Sequence, residues 1–167
     1  MENYIKLVEE QKNLTEFIIK ESQKRKFIID SSVVIKWFYK KNEEDLEQAN
    51  YFYNKSRKGY DIIVAPDLLI YEILNFFKNK KEISDDDVYT ILNEIYNTIS
   101  VLGIGNNLFK KAFEIARFNN ITIYYSIYIS LSEELEIPFI TADLKLYEIM
   151  KKQNFNIIIL KDFIKYY

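Results

Sequence analysis

Along this chain, short wholly apolar runs alternate with longer stretches in which apolar residues recur every three or four positions. Phe27-Ile28-Ile29, Ile62-Ile63-Val64-Ala65, Ile99 to Leu102, Phe139-Ile140-Thr141 and Ile157-Ile158-Ile159-Leu160 read as five strands. The helical period runs through Val33, Val34, Trp37 and Phe38, then over about 43–57, 67–79, 84–96, 107–118, 122–135 and 144–152. Ser84 followed by Asp87 is a capping-box signature, Pro66 stops the second strand, and Asp67 reads as a helix cap. Strands that are apolar on both faces and separated by helices predict a parallel sheet covered on both sides. The expected fold class is therefore α/β: a doubly wound, five-stranded, mainly parallel sheet flanked by helices over residues 26–167. Residues 1–25 read as a helical extension. Its broken stripe of Tyr4, Leu7, Val8, Leu14, Phe17 and Ile18 would dock on the domain or on a dimer mate. In such folds a ligand site lies beyond the carboxyl ends of the strands, where strand order reverses.

Composition narrows the chemistry. The 167 residues are enough for one core without disulfides or a metal to staple it. Histidine and cysteine are both absent. Those zeros exclude a thiolate nucleophile, a disulfide framework, the usual zinc and haem sites, a histidine general base and a Ser-His-Asp hydrolase. With three glycines there is no Gly-rich phosphate loop. Basic and acidic residues nearly balance, for a net charge of -2, so a polyanion would have to meet a local basic patch or a bridging metal ion. Charges interrupt the stretch from Met1 to Lys26 where a signal peptide would be apolar, and no run of about 18 apolar residues exists. A soluble, cytoplasmic protein with no membrane partner is expected.

What chemistry remains rests on carboxylates. Asp30 and Asp143 each end an apolar strand and precede a helix, so each is either an N-cap or a site residue at the same sheet edge. Glu72 lies in a helix apolar nearly all round, with Leu68, Leu69 and Phe76 on its face. A carboxylate there would be desolvated, at a cost of several kcal/mol if unpaired. It needs either a lysine partner such as Lys36 or a cation held in a cleft. Three converging acids without histidine or cysteine form an oxygen-donor set suited to Mg²⁺ or Mn²⁺. Asp85-Asp86-Asp87 has the look of a metal cluster but falls in the first turn after Ser84, where acids favour the helix dipole.

The segments Ile29-Asp30-Ser31-Ser32-Val33, Ala65-Pro66-Asp67-Leu68-Leu69-Ile70-Tyr71-Glu72-Ile73-Leu74-Asn75, Thr122-Ile123-Tyr124-Tyr125-Ser126 and Ile140-Thr141-Ala142-Asp143 stand in an order and spacing that resemble the PIN-domain ribonucleases, most nearly the VapC-like toxin branch. The resemblance covers roughly residues 27 to 162. It implies a Mg²⁺- or Mn²⁺-dependent nuclease of single-stranded RNA, a homodimer, held inactive by an antitoxin peptide or protein. It also implies that Asp30, Glu72 and Asp143 are three of four catalytic, metal-binding acids, with Ser31 and Thr141 as supporting polar residues at the substrate side. At the fourth position the family usually has Asp after the first Tyr, and this chain has Tyr125. A phenol, neutral at pH 7, is a poor ligand for Mg²⁺. Either the site is a weakened nuclease, or it is a catalytically inactive module that binds RNA or protein, with Tyr125 as a stacking face or a packing residue. A phosphatase or receiver-like site is disfavoured, since Ser32 stands where a second acid would belong and Ile99 to Leu102 supplies none.

Overall fold

Each apolar run forms a strand: β1 (Arg25–Ile29), β2 (Asp61–Pro66), β3 (Ile99–Leu102), β4 (Phe139–Thr141) and β5 (Ile157–Ile159). The structure, a computed structural model, describes residues 25–41 and 43–163, so the helix expected over 1–25 lies, up to residue 24, outside the described residues. Arg25, placed by sequence at the end of that helix, instead begins β1. All strands are parallel, in the order β3-β2-β1-β4-β5. Strand order therefore reverses between β1 and β4.

Seven helices connect the strands among the described residues: α1 (Ser31–Phe38), α2 (Leu46–Arg57), α3 (Leu68–Phe77), α4 (Asp85–Thr98), α5 (Asn106–Asn119), α6 (Ile123–Leu135) and α7 (Leu144–Lys151). Right-handed crossovers place α1–α4 on one face and α5–α7 on the other. Within the first group α1 packs on α2 and α3, and α4 on α2 and α3; on the other face α5 packs on α6. Because β1 is covered on both sides, Phe27, Ile28 and Ile29 are all buried.

Two features fix the frame that carries the site. Arg25 faces Asp61 in register, and its guanidinium donates through Nε and Nη2 to the buried Asp61 carboxylate, each at 3.0 Å. This fork anchors the starts of β1 and β2. Beneath the sheet the rings of Phe27, Phe52 and Phe163 meet with centroids 4.0–5.5 Å apart.

Local chemistry departs from expectation in three places. Helix α2 begins at Leu46 rather than Glu43, because Asp45 takes a left-handed conformation at φ 55°. Asp67 precedes α3 with helical dihedrals and makes no side-chain cap bond, so it is not the cap its position suggests. Helix α3 buries Leu69, Ile73 and Phe77 but leaves Tyr71 and Leu74 exposed, so it is not enclosed all round. The capping box of Ser84 and Asp87 forms as read, and accounts for the three adjacent acids as a helix start.

Replacing Phe52 by Ala removes the centre of the aromatic cluster and is expected to cost about 3–5 kcal/mol in urea unfolding. Phe118, 80% exposed, should tolerate the same change within about 0.5 kcal/mol. Equal losses in the two variants would contradict the assignment of the core.

Candidate functional site

The pairing of Ile29 with Ile140 sets the ends of β1 and β4 side by side at the reversal of strand order, and each strand delivers an aspartate there. Asp30 is buried. Its carboxylate accepts from the hydroxyls of Ser32 at 2.5 Å and Thr141 at 2.6 Å, and from the backbone N–H of Val33 at 3.3 Å. Asp143 accepts the N–H of Leu146 at 2.9 Å through Oδ1 and the phenol of Tyr125 at 2.6 Å through Oδ2. Both aspartates thus cap the helix that follows, and both line one cavity.

The same hydroxyls tie the two strand ends to each other. Thr141 Oγ1 donates to Asp30 and accepts the N–H of Asp143 at 3.0 Å. Ser32 Oγ donates to Asp30 and accepts the N–H of Ala142 at 2.9 Å. Thr141 is fully buried, so the supporting hydroxyl expected at the substrate side works inside the protein. Ser31 does line the cavity, beside Glu72.

Glu72 reaches the cavity from α3, half-buried, and accepts the phenol of Tyr128 on α6 at 2.6 Å. The lysine considered as its partner is engaged elsewhere: Lys36 pairs with Glu43 at 2.6 Å. Asp30, Glu72 and Asp143 line one cavity of about 240 Å³ together with Ser31, Tyr124 and Tyr125. No lysine or arginine is among its lining residues.

Placing unpaired carboxylates in a shared hollow has an electrostatic consequence. Burial pushes Asp30 up to about 6, the repulsion of Glu72 adds to this, and the hydroxyls of Ser32 and Thr141 pull it back. Burial also raises Glu72, against the pull of the Tyr128 and Ser31 hydroxyls. The phenols of Tyr125 and Tyr128 are raised too, first by burial and then by the carboxylates they touch, so both remain donors. Among the described residues no group of three acids stands as a ready metal site. In its place, one phenol occupies an oxygen of Asp143 and another an oxygen of Glu72. Each carboxylate keeps further lone pairs, and an all-oxygen anionic donor set fits a hard divalent cation.

Tyr125 occupies the first turn of α6 after the cap Thr122, which accepts its N–H at 3.3 Å. Its ring is half-buried against the core, and its hydroxyl is committed to Asp143. Sequence reasoning overlooked Ser32 and Tyr128. Ser32 lies two positions after Asp30, and Tyr128 lies one helical turn beyond Tyr125 on the same face of α6.

A parallel sheet in the order 3-2-1-4-5, with acids delivered to the cavity from the adjacent strands β1 and β4 and from the helix after β2, defines a class. The PIN-domain family model matches residues 27–152, and the chain belongs to the PIN-domain family. Among curated proteins none matches the chain in sequence. Among solved structures, PAE2754 from Pyrobaculum aerophilum is similar at 17% identity and TM-score 0.61, over 84% of this chain and 93% of that one. VapC20 from Mycobacterium tuberculosis, described as a sarcin-ricin loop cleaving toxin, is similar at 9% identity and TM-score 0.59, over 77% and 95%. A toxin–antitoxin complex from Klebsiella pneumoniae is similar at 10% identity and TM-score 0.55, over 72% and 88%. These likenesses are of fold.

The raised Asp30 gives a signed prediction. Its folded value near 6 lies above the ordinary 3.8, so the folded state binds the proton more tightly. The stabilisation this gives is complete below about pH 4 and is lost as pH rises through about 6. Asp30→Asn should therefore gain stability over the wild type by on the order of 2 kcal/mol between pH 4 and 7. Chemical denaturation at both pH values reads the difference; a constant gap would contradict a desolvated Asp30.

Proposed function

We propose that this protein is a divalent-metal-dependent endoribonuclease of single-stranded RNA, the toxin half of a cytoplasmic toxin–antitoxin pair, working as a homodimer, with activity lowered by Tyr125. The observation that carries the reading is the cavity itself: three carboxylates from segments far apart in sequence line it with no basic side chain among them. Such a hollow repels an RNA phosphate unless a cation lies between. Membership of the PIN family supports a nuclease, and the toxin and toxin–antitoxin neighbours support an antitoxin partner.

In this reading Asp30, Glu72 and Asp143 are the metal-binding and catalytic acids, and the ion is Mg²⁺ or Mn²⁺. Once bound, the ion supplies polarisation of a phosphoryl oxygen and a more acidic water. The chain supplies the rest. Ser32 and Thr141 hold Asp30 in a single orientation, so its remaining lone pairs point without reorganisation. Glu72, raised by burial, is suited to take the proton of an attacking water. Tyr125, standing where the resemblance implies a fourth acid, leaves the site a three-acid set, and its phenol restrains Asp143. Ser31 contacts the substrate side of Glu72.

The bond between Tyr125 and Asp143 also favours a second reading, an inactive PIN module that binds RNA or protein without cutting it. Cleavage of labelled single-stranded RNA in Mg²⁺ or Mn²⁺ separates the two. The nuclease reading predicts slow cleavage by the wild type, none by Asp30→Asn, and a gain of about tenfold at low metal in Tyr125→Asp, the equivalent of ~1.4 kcal/mol in cation affinity. A wild type that is inert while Tyr125→Asp cuts establishes the inactive module. Inertness of both variants and wild type, with no response to either ion, removes the nuclease reading.

A further inference from the structure

The acid cavity is not closed at its α3 side. Glu72 and Tyr124 also form walls of a second hollow of about 420 Å³, together with Tyr71 and Asn75. Tyr71 and Asn75 in turn line a third hollow, of about 560 Å³, with Lys78, Asp85 and Tyr89. The three hollows therefore form a row that starts at the carboxylates and follows the outward face of α3. Tyr71, Asn75 and Lys78 share that face by helical spacing, and span about 10 Å of its axis.

Three tyrosine rings stand along this row. Tyr124 is 56% exposed, Tyr71 70% and Tyr89 65%. Among the described residues no hydrogen bond or ring contact engages any of them, whereas Tyr125 and Tyr128, one helix face away, have their hydroxyls committed to carboxylates. Rings that are open on a face and continuous with an anionic catalytic cavity are suited to stack unpaired bases, which any sequence provides. Asn75 between them carries both donors and an acceptor for a base edge, and Lys78 is the cation at the far end.

We infer that this row is a binding track for the unpaired nucleotides next to the scissile phosphate, with bases stacked on Tyr124 and Tyr71 and a following phosphate met by Lys78. The inference rests on the nuclease reading of the acid cavity and adds to it the part of the molecule that selects single strands. A duplex, whose bases are stacked and paired, presents no free face to these rings. Because stacking dominates and one lysine serves the track, affinity depends shallowly on salt, with a slope near −0.7 for a single phosphate contact.

Fluorescence anisotropy of a labelled single-stranded oligouridylate tests this with the full chain carrying Asp30→Asn, in Mg²⁺, so that binding is read without cutting. Adding Tyr71→Ala or Tyr124→Ala is expected to weaken binding about tenfold or more each. Tyr71→Phe, which keeps the ring, should stay within about twofold of the parent, and an abasic oligomer should bind parent and Tyr71→Ala alike. Both alanine changes fall at exposed positions, and unchanged thermal midpoints will confirm folding. Unaltered RNA affinity in the two alanine variants overturns the track, as does a loss of self-association or of peptide binding in place of RNA binding. Cleavage by the wild type, measured separately, decides the nuclease reading: ring-dependent binding without any cleavage would keep the track and remove the nuclease.

Discussion

A buried carboxylate with hydroxyls instead of cations for partners organises this molecule. Asp30 is surrounded by Ser32, Thr141 and the start of α1, and the hydroxyls that satisfy it also hold the backbone of Ala142 and Asp143. Strands β1 and β4 pair through a short register, so these bonds at their carboxyl ends do much to fix how the strand ends lie. Removing the acid would leave the buried hydroxyl of Thr141 and the half-buried one of Ser32 without their acceptor; removing the hydroxyls would leave a desolvated charge. Geometry and electrostatics at the mouth of the sheet are thus one problem with one solution.

That solution leaves negative charge concentrated where strand order reverses. A protein that only needed to be stable would neutralise it, with a lysine or by replacement with apolar groups. Here Lys36, close in sequence, is paired to Glu43, and the cavity is left to phenols and serine hydroxyls. Phenols satisfy a lone pair without cancelling charge. The result is a hollow with stored electrostatic repulsion between Asp30 and Glu72, which a bound cation would relieve.

The framework was legible because it depends on short-range pattern. Phe139 to Thr141 and Ile99 to Leu102 are strands as read, since fully apolar runs between helices have few other places to go. Asp30 and Asp143 could be found because strand ends are where parallel sheets place ligands. Glu72 stood out as a charge in apolar company. Tyr128 was invisible in a chain of fourteen tyrosines, because its bond to Glu72 joins residues 56 positions apart and leaves no local mark. Asp67 misled for the opposite reason: the residue type suits a cap, but the backbone there is already helical, and the side chain makes no cap bond. The exposure of Tyr71 escaped notice because the apolar residues around α3 suggested burial on all sides, while its outward face is open.

If Asp30, Glu72 and Asp143 hold a divalent cation as proposed, Mn²⁺ binding followed by electron paramagnetic resonance reads it without any substrate. One ion per chain is expected for the wild type at neutral pH, with the signal of free Mn²⁺ restored in Glu72→Gln and little altered by a distant exposed change such as Phe118→Ala. Mn²⁺ that stays free in the presence of the wild type, or that binds Glu72→Gln equally well, would contradict the account.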